Sequence, residues 1–211
     1  MRYLAFVITM YLFVSNISVA QINTERYRLD SDSIGFTGIA DVEITAITGN
    51  TDFQFIHLGG RLNYNWGKSY TFLVADGGFG WDEGERIFDQ ALLHLRHVHS
   101  INDFLQAEGF IQTDFNKKRL LTERELIGGG FRFKMFSSDE FKIRLGTTYF
   151  YEHESYNVPV NSMHGSSLYT NRLSTYLTFE YVIKEEVKLV VINYYQPQIG
   201  NWLEYRIISD N

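Results

Sequence analysis

The feature that most constrains this chain is an alternation of apolar and polar residues that lasts twelve or more residues in segment after segment. From Ile34 to Ile47 the even-numbered positions are apolar or glycine, whereas the odd-numbered ones include Thr37, Asp41 and Glu43. Side chains alternate across a β-strand, so the pattern predicts strands with one apolar and one polar face. Strands of soluble proteins usually have about five or six residues, whereas a tilted membrane-spanning strand needs about nine to eleven. The length therefore favours membrane-spanning strands.

The same reading predicts about ten strands joined by turns. After the first segment they cover about residues 54–66, a stretch through Phe79, then 86–99, 103–115, 120–136, 140–153, 168–183 and 187–197, with a tenth from about 201. Gly67-Lys68 is a two-residue hairpin turn, which predicts Leu62 opposite Leu73.

A turn centred on Ser138 predicts the pairing of the sixth and seventh strands. It sets Phe131 opposite Leu145 on one face, and on the other face it sets Arg132 opposite Arg144 and Lys134 opposite Lys142. The second face would therefore carry like charges directly across neighbouring strands, which is destabilising unless water or anions screen them.

Turns and aromatic residues are distributed as in a membrane barrel. The turns near residues 67, 101, 138 and 185 look tight, whereas those near 84, 117 and 160 look longer, and transmembrane barrels have short turns at one end and long loops at the other. Aromatic residues cluster where strands would leave the hydrocarbon, as girdles do: Trp66, Tyr70, Phe136, Phe141 and Tyr181 beside tight turns, and Trp81, Tyr151 and Tyr169 near the longer loops. We therefore predict an all-β, antiparallel, up-and-down transmembrane β-barrel with its polar face turned into the lumen. The alternative is a secreted β-sandwich or lipocalin-like barrel, whose core would also be rich in Phe and Tyr.

The first twenty residues have the three parts of a cleaved signal peptide. Arg2 supplies a positive start, Leu4 to Val14 is an apolar run, and Ser18-Val19-Ala20 is a small-x-small cleavage pattern. The alternative is a retained N-terminal anchor. We predict a signal peptide at 1–20, an N-terminal periplasmic segment at 21–33 and the outer-membrane barrel domain at 34–211. The expected location is the bacterial outer membrane.

Composition excludes several classes of protein. The sequence has no cysteine, which excludes a lipoprotein anchor, a disulfide scaffold and a Cys-based metal or redox site. The net charge of -6 argues against nucleic-acid binding. The expected partners are membrane lipids, lipopolysaccharide and the outer-membrane assembly machinery, and no specific protein partner is predicted.

The predicted lumen face carries charges of both signs, which suits either an ion-pair plug or a narrow pore. The candidate lumen-lining residues are Arg61, Asp76, Glu108, Arg124, Arg132, Lys134, Lys142, Arg144, Glu152, Arg172 and Glu180. The like-charged group on the sixth and seventh strands leads to the hypothesis of a hydrated, anion-attracting lower lumen.

Histidines do not form a convincing metal motif. On a strand, His94 lies on one face while His97 and His99 share the other, and a metal needs ligands that converge on one point. We expect one lumen histidine and two interfacial ones, with a zinc site as the weaker alternative, and we predict no cofactor.

The widest predicted loop contains residue types used in nucleophilic catalysis. His153, Glu154, Ser155 and His164 fall in it, with Ser166 and Ser167 nearby, but no G-x-S-x-G motif is present. Loops are naturally rich in such residues. We therefore predict no catalytic residue and a non-enzymatic protein.

Three consecutive glycines, Gly128-Gly129-Gly130, lack the Lys-Ser/Thr and helix of a phosphate loop. In a strand, glycines permit bending or close approach of another chain.

Several of these stretches resemble a known family. "GFTGIADVEITAITGNTDF", "LNYNW", "LQAEGFIQTDFNKKRLLTERELIGGGFRF", "LYTNRLSTYLTFEY" and "NYYQPQIGNWLEYRI" are similar to the salt-induced outer membrane protein family, a domain of unknown function numbered 481, over about residues 34–208. The resemblance implies an outer-membrane β-barrel of twelve strands with no established activity and a link to salt or osmotic stress.

The sequence departs from the family pattern at Ile208-Ser209-Asp210-Asn211, where no terminal aromatic residue is found. We expect a C-terminally truncated member, short of about two strands. The predicted function is a small passive pore or a structural envelope component. The alternatives are a barrel enzyme acting on lipid or peptide at the outer rim, and a soluble periplasmic ligand-binding barrel.

Overall fold

A computed structural model describes residues 34–159, 162, 165–184 and 187–210, so the predicted signal peptide and periplasmic segment lie outside the described residues. Within this part of the chain the regular structure is almost entirely β. The strands are β1 (Gly35–Ile47), β2 (Phe53–Asn65), β3 (Ser69–Asp82), β4 (Glu85–Ser100), β5 (Leu105–Asn116), β6 (Leu121–Ser137), β7 (Phe141–Tyr156), β8 (Ser167–Lys184), β9 (Val187–Gln198) and β10 (Asn201–Asp210). A 3-10 turn, Lys117–Arg119, separates β5 from β6.

The strands form one antiparallel sheet in sequence order, from β1 to β10. This confirms the predicted all-β, up-and-down topology of ten strands. The strands have between 10 and 18 residues, so the long alternating segments of the sequence form equally long strands. No helix in the described part of the chain is long and apolar enough to cross a membrane.

The predicted barrel is open between β1 and β10. In the described residues β1 pairs with β2 alone and β10 with β9 alone. Both faces of β1 are exposed, since Ile39 and Val42 point to opposite faces and are each 66% exposed. These two strands are therefore the edges of a curled sheet.

The predicted register of the β2–β3 hairpin is confirmed, because Leu62 lies opposite Leu73. The predicted β6–β7 register is wrong by two residues. Leu145 lies opposite Phe133, and Arg132 lies opposite Gly146. A β-bulge between Lys134 and Phe136 adds one residue to β6 beside the turn, and the turn itself is closed by a hydrogen bond from Ser138 N to Phe141 O of 2.8 Å.

The predicted difference between the two sets of turns is also only partly correct. The β3–β4 connection, expected to be longer, is only Glu83-Gly84. Both residues have positive φ, 50° and 82°, as a type I′ turn requires, and this turn follows the natural twist of the two strands. The connection from β7 to β8, residues 157–166, is the widest.

The two faces of the sheet differ sharply in polarity. One face, here called the inner face, carries Arg96, Glu108, Arg172 and other charged side chains that are buried because the sheet curls around them. The opposite, outer face carries apolar side chains that are about half exposed, such as Leu95 at 39% and Ile111 at 52%. Tyr70, predicted to lie in an outer girdle, is on the inner face, where its ring stacks on that of the fully buried Phe72 at 6.3 Å.

Glycines let the sheet curl tightly around its interior. A Cβ on Gly128 would meet the rings or side-chain carbons of Phe110 and Phe150, and one on Gly130 would meet the backbone of Thr147. The structure therefore confirms that this glycine run allows the neighbouring strands to approach closely. In β7, a Cβ on Gly146 would overlap the ring of Tyr176.

Candidate functional site

The candidate site is the inner face of β4 to β10, where side chains from strands that are not neighbours meet. Tyr176 in β8 donates a hydrogen bond of 3.1 Å from its hydroxyl to Glu108 in β5. Its ring reaches over β7 because Gly146 has no side chain. The interior is thus bridged directly, with two strands lying between the two residues.

A carboxylate–arginine cluster fills the interior toward the end of the sheet that carries the wide 157–166 connection. Glu152 is fully buried and accepts hydrogen bonds from Arg206 at 2.7 and 3.0 Å, from Arg172 at 3.2 Å and from Thr170 at 3.0 Å. Arg206 also donates to Glu154 at 3.3 Å. This arrangement ties β7, β8 and β10 together.

The cluster continues onto β5 and β6. Arg124 makes a two-pronged ion pair with Asp114, with nitrogen–oxygen distances of 3.0 Å for both prongs. Such fork-like pairs are the strongest and most directional ion pairs in proteins. In the adjoining turn, partial burial and the nearby Arg124 guanidinium lower the pKa of Arg119 below its ordinary value.

The middle of the interior is packed rather than open. Arg96 contacts Glu108 at 3.4 Å and donates to His94 at 3.2 Å, and His94 is 3.0 Å from Gln112. A cavity in this region measures about 20 Å³ and is bounded by residues of β4, β5 and β7 to β10. A single water needs roughly 10–15 Å³, so this space holds one water or little more.

Toward the tight-turn end of the sheet, one carboxylate forms ion pairs with three basic side chains. Glu180 lies 3.5 Å from Lys142, 3.5 Å from Arg144 and 2.8 Å from Lys188. Arg132 donates to Gln106 at 3.3 Å instead of facing Arg144. The two predicted pairs, Arg132 with Arg144 and Lys134 with Lys142, are therefore wrong. The two-residue change of register sets Arg132 opposite Gly146 and leaves one like-charge pair, Lys134 opposite Arg144.

The other sequence-predicted residues lie on the inner face but outside these contacts. The Arg61 guanidinium lies 4.9 Å above the Phe72 ring, and Asp76 is 3.1 Å from His57. Lys134 is half-buried and lies opposite Arg144.

Three members of the carboxylate–arginine cluster were missed in the sequence: Glu154, which was assigned to a loop, and Glu204 and Arg206 in β10. Arg172 donates to Glu204 at 2.8 Å. Continuing the alternation through the tenth strand would have found this pair, since positions 204, 206 and 208 share one face.

The histidines lie where their spacing predicted. His94 is buried inside, whereas His97 is exposed and its ring stacks on that of Trp66 at 5.5 Å. His99, also exposed, is 2.7 Å from the Ser69 hydroxyl. Among the described residues no three histidines or carboxylates are grouped closely enough to bind a metal ion.

A second polar group lies on the outer face, at the wide-connection end. His153 and Ser155 belong to β7 and point outward, so their predicted place in a loop is wrong, and Glu154 between them points inward. The Nε2 atom of His153 is 3.1 Å from Ser167 Oγ and 3.4 Å from Ser155 Oγ, and its Nδ1 atom is 3.5 Å from Glu125 Oε2. His164 lies outside the described residues.

Comparison with known proteins gives a family but no described function. The model of a family described as a protein of unknown function, DUF481, matches residues 42–205. Neither the curated proteins nor the solved structures contain a match. The match covers most of the chain, and the strands β2 to β9 lie wholly within it. The chain therefore belongs to the DUF481 family.

Proposed function

We propose that this protein is an outer-membrane β-barrel component that acts as a structural element of the envelope, with an interior closed by ion pairs. The observation that carries the proposal is the inverted polarity of the sheet. Charged side chains such as Arg172 and Glu152 are 1% and 0% exposed, while Ile127 and Phe131 on the outer face are 59% and 47% exposed.

A water-soluble sheet would have the opposite arrangement. Soluble monomers rarely expose a contiguous apolar patch of more than a few hundred Å². Here a row of apolar residues crosses five strands on the outer face, because pairing sets Leu62, Leu73, Leu95, Ile111 and Ile127 side by side. Hydrocarbon is the solvent that such a surface requires, and charged residues inside a membrane protein pair with each other or line water. This favours a membrane barrel over the soluble ligand-binding alternative.

The packing of the interior favours a structural role over a passive pore. An open pore needs a continuous water-filled path, whereas the space left beside His94, Phe110 and Tyr176 is about 20 Å³. The ion pair between Arg206 and Glu152 and the hydrogen bond from Tyr176 to Glu108 cross that path. The interior therefore stiffens the sheet. Its ion pairs take the role that buried apolar side chains have in the core of a soluble protein.

Fractionation and labelling test the membrane assignment. The expressed protein should appear in the outer-membrane fraction, require detergent for extraction and migrate differently on gels before and after heating. An apolar photoreactive probe dissolved in the bilayer should label peptides through their outer residues, including Ile127 and Phe131, and spare Arg132 and Arg144. Recovery of a folded, detergent-independent protein from the periplasm would refute the proposal.

A further inference from the structure

Three strands bring a serine, a histidine and a glutamate together on the outer face. Ser167 Oγ in β8 lies 3.1 Å from Nε2 of His153 in β7, and Nδ1 of the same ring lies 3.5 Å from Glu125 Oε2 in β6. The order hydroxyl, imidazole, carboxylate is the order that activates serine nucleophiles in unrelated folds. The longer of the two distances is of the kind found before substrate is bound, when catalytic hydrogen bonds are often loose.

The strand register holds this arrangement in place. Glu125 lies directly opposite His153, and His153 lies directly opposite Tyr169. The Tyr169 ring stacks on the imidazole at 4.4 Å and 11° between planes, which restricts the plane in which the imidazole lies between Ser167 and Glu125. The side chains are accessible, with His153 21% and Glu125 60% exposed.

The group lies at the rim of the sheet. Ser155 is the penultimate residue of β7, and Ser167 is the first residue of β8. Below it on the outer face, Tyr151 and Tyr169 are 40% and 61% exposed, as aromatic residues of an interfacial girdle are. On the proposed membrane orientation, the rim coincides with the depth of lipid headgroups and ester bonds.

We propose that Ser167, His153 and Glu125 form an ester-hydrolysing site that acts on acyl esters of membrane lipids at the outer rim. The choice of lipid as substrate rests on the proposed membrane function, whereas the nucleophile itself rests on the geometry alone. Ser167 is the nucleophile, His153 the general base and acid, and Glu125 the group that orients the imidazole and stabilises its charged form. Each of the three residues comes from a different strand, so a search for short sequence motifs would not find them.

The reaction proceeds in two balanced steps. In the first, Ser167 Oγ bonds to the ester carbonyl carbon, His153 Nε2 takes the hydroxyl proton, and the alcohol leaves carrying that proton as the carbon–oxygen bond breaks. In the second, a water oxygen bonds to the acyl carbon, Nε2 takes a proton from the water, and that proton returns to Ser167 as the serine ester breaks. The products are a carboxylic acid and an alcohol, with water as the acceptor.

Reaction with a fluorophosphonate probe tests the nucleophile in the full-length protein folded in detergent micelles. We expect the probe to modify Ser167, and mass spectrometry of the labelled peptide locates the modified residue. We also expect the protein to release fatty acid from vesicles of phosphatidylethanolamine. Ser167→Ala should abolish both signals, and His153→Gln should lower the labelling rate by about 10³-fold or more, as loss of a triad member does. Glu125→Gln should give a smaller loss.

Ser166→Ala is the matched control, because Ser166 is the exposed residue directly before Ser167, and it should keep the wild-type labelling rate. Heat-modifiable migration of each variant shows that it is folded. A folded wild-type protein that is not labelled, or labelling that survives Ser167→Ala, would overturn the catalytic assignment while leaving the membrane proposal intact. A protein that is soluble without detergent but labelled at Ser167 would instead overturn the membrane proposal and retain the nucleophile.

Discussion

Removing the charge of Glu152 tests whether the interior is closed by ion pairs. This carboxylate is fully buried and accepts four hydrogen bonds, two of them from Arg206, one from Arg172 and one from Thr170. Glu152→Gln keeps the shape of the side chain but leaves the two guanidinium groups with less opposite charge. Loss of one partner from a buried ion pair costs about 3–5 kcal/mol.

The expected cost lies at the lower end of that range, because both arginines keep a second carboxylate. Arg172 retains Glu204 at 2.8 Å, and Arg206 retains Glu154 at 3.3 Å. We therefore expect the free energy of unfolding to fall by about 3 kcal/mol, which is a change of roughly 150-fold in the ratio of folded to unfolded protein.

Urea unfolding in lipid vesicles, followed by tryptophan fluorescence and by the heat-modifiable gel shift, measures this difference. Glu123→Gln is the matched control, because Glu123 is an exposed carboxylate on β6 and should change stability by less than about 0.5 kcal/mol. In a double-mutant cycle with Arg206→Gln the two changes should not add. Equal, small effects at positions 152 and 123 would mean that the interior is wet, and the reasoning would fail.

Three further outcomes are expected. Ile111→Arg should destabilise the protein by about 2–4 kcal/mol if its side chain contacts hydrocarbon, compared with less than about 0.5 kcal/mol on a water-exposed surface, measured by the same urea titration. Gly146→Ala should displace the Tyr176 ring and lower the free energy of unfolding by about 1–3 kcal/mol. Gly109→Ala is the control and should be well tolerated, because its new Cβ makes only ordinary van der Waals contact. A larger loss of stability for Gly109→Ala than for Gly146→Ala would contradict the bridging role of Tyr176. The wild-type protein in planar bilayers should give no steady conductance, because the space beside His94, Phe110 and Tyr176 in the middle of the interior is only about 20 Å³. A stable channel would favour the pore alternative.

The β2–β3 and β6–β7 hairpins show how far the sequence predicts pairing. At Gly67-Lys68 the turn fixed the register, and Leu62 lies opposite Leu73 as predicted. At Ser138 the same reasoning is wrong, because Ser137 lies opposite Lys142 and the turn is therefore centred between Asp139 and Glu140, three residues off in register. The bulge before Phe136 then shifts the pairing by one residue and leaves a net error of two. A slip of two residues leaves every side chain on its original face, so periodicity constrains which face a residue occupies far better than which residue it meets.

By itself the amino-acid sequence determined that ten long strands form and which side chains share a face, because the period of two is a local property of the strand backbone. Only the tertiary structure decided which charges pair, since Glu152 and Arg206 are 54 positions apart and meet only when the sheet curls. It likewise decided that Ser167 lies beside His153, because that contact depends on the register between β7 and β8 rather than on spacing along the chain. Contacts between distant strands arise from curvature and register, and both are set by packing over the whole sheet.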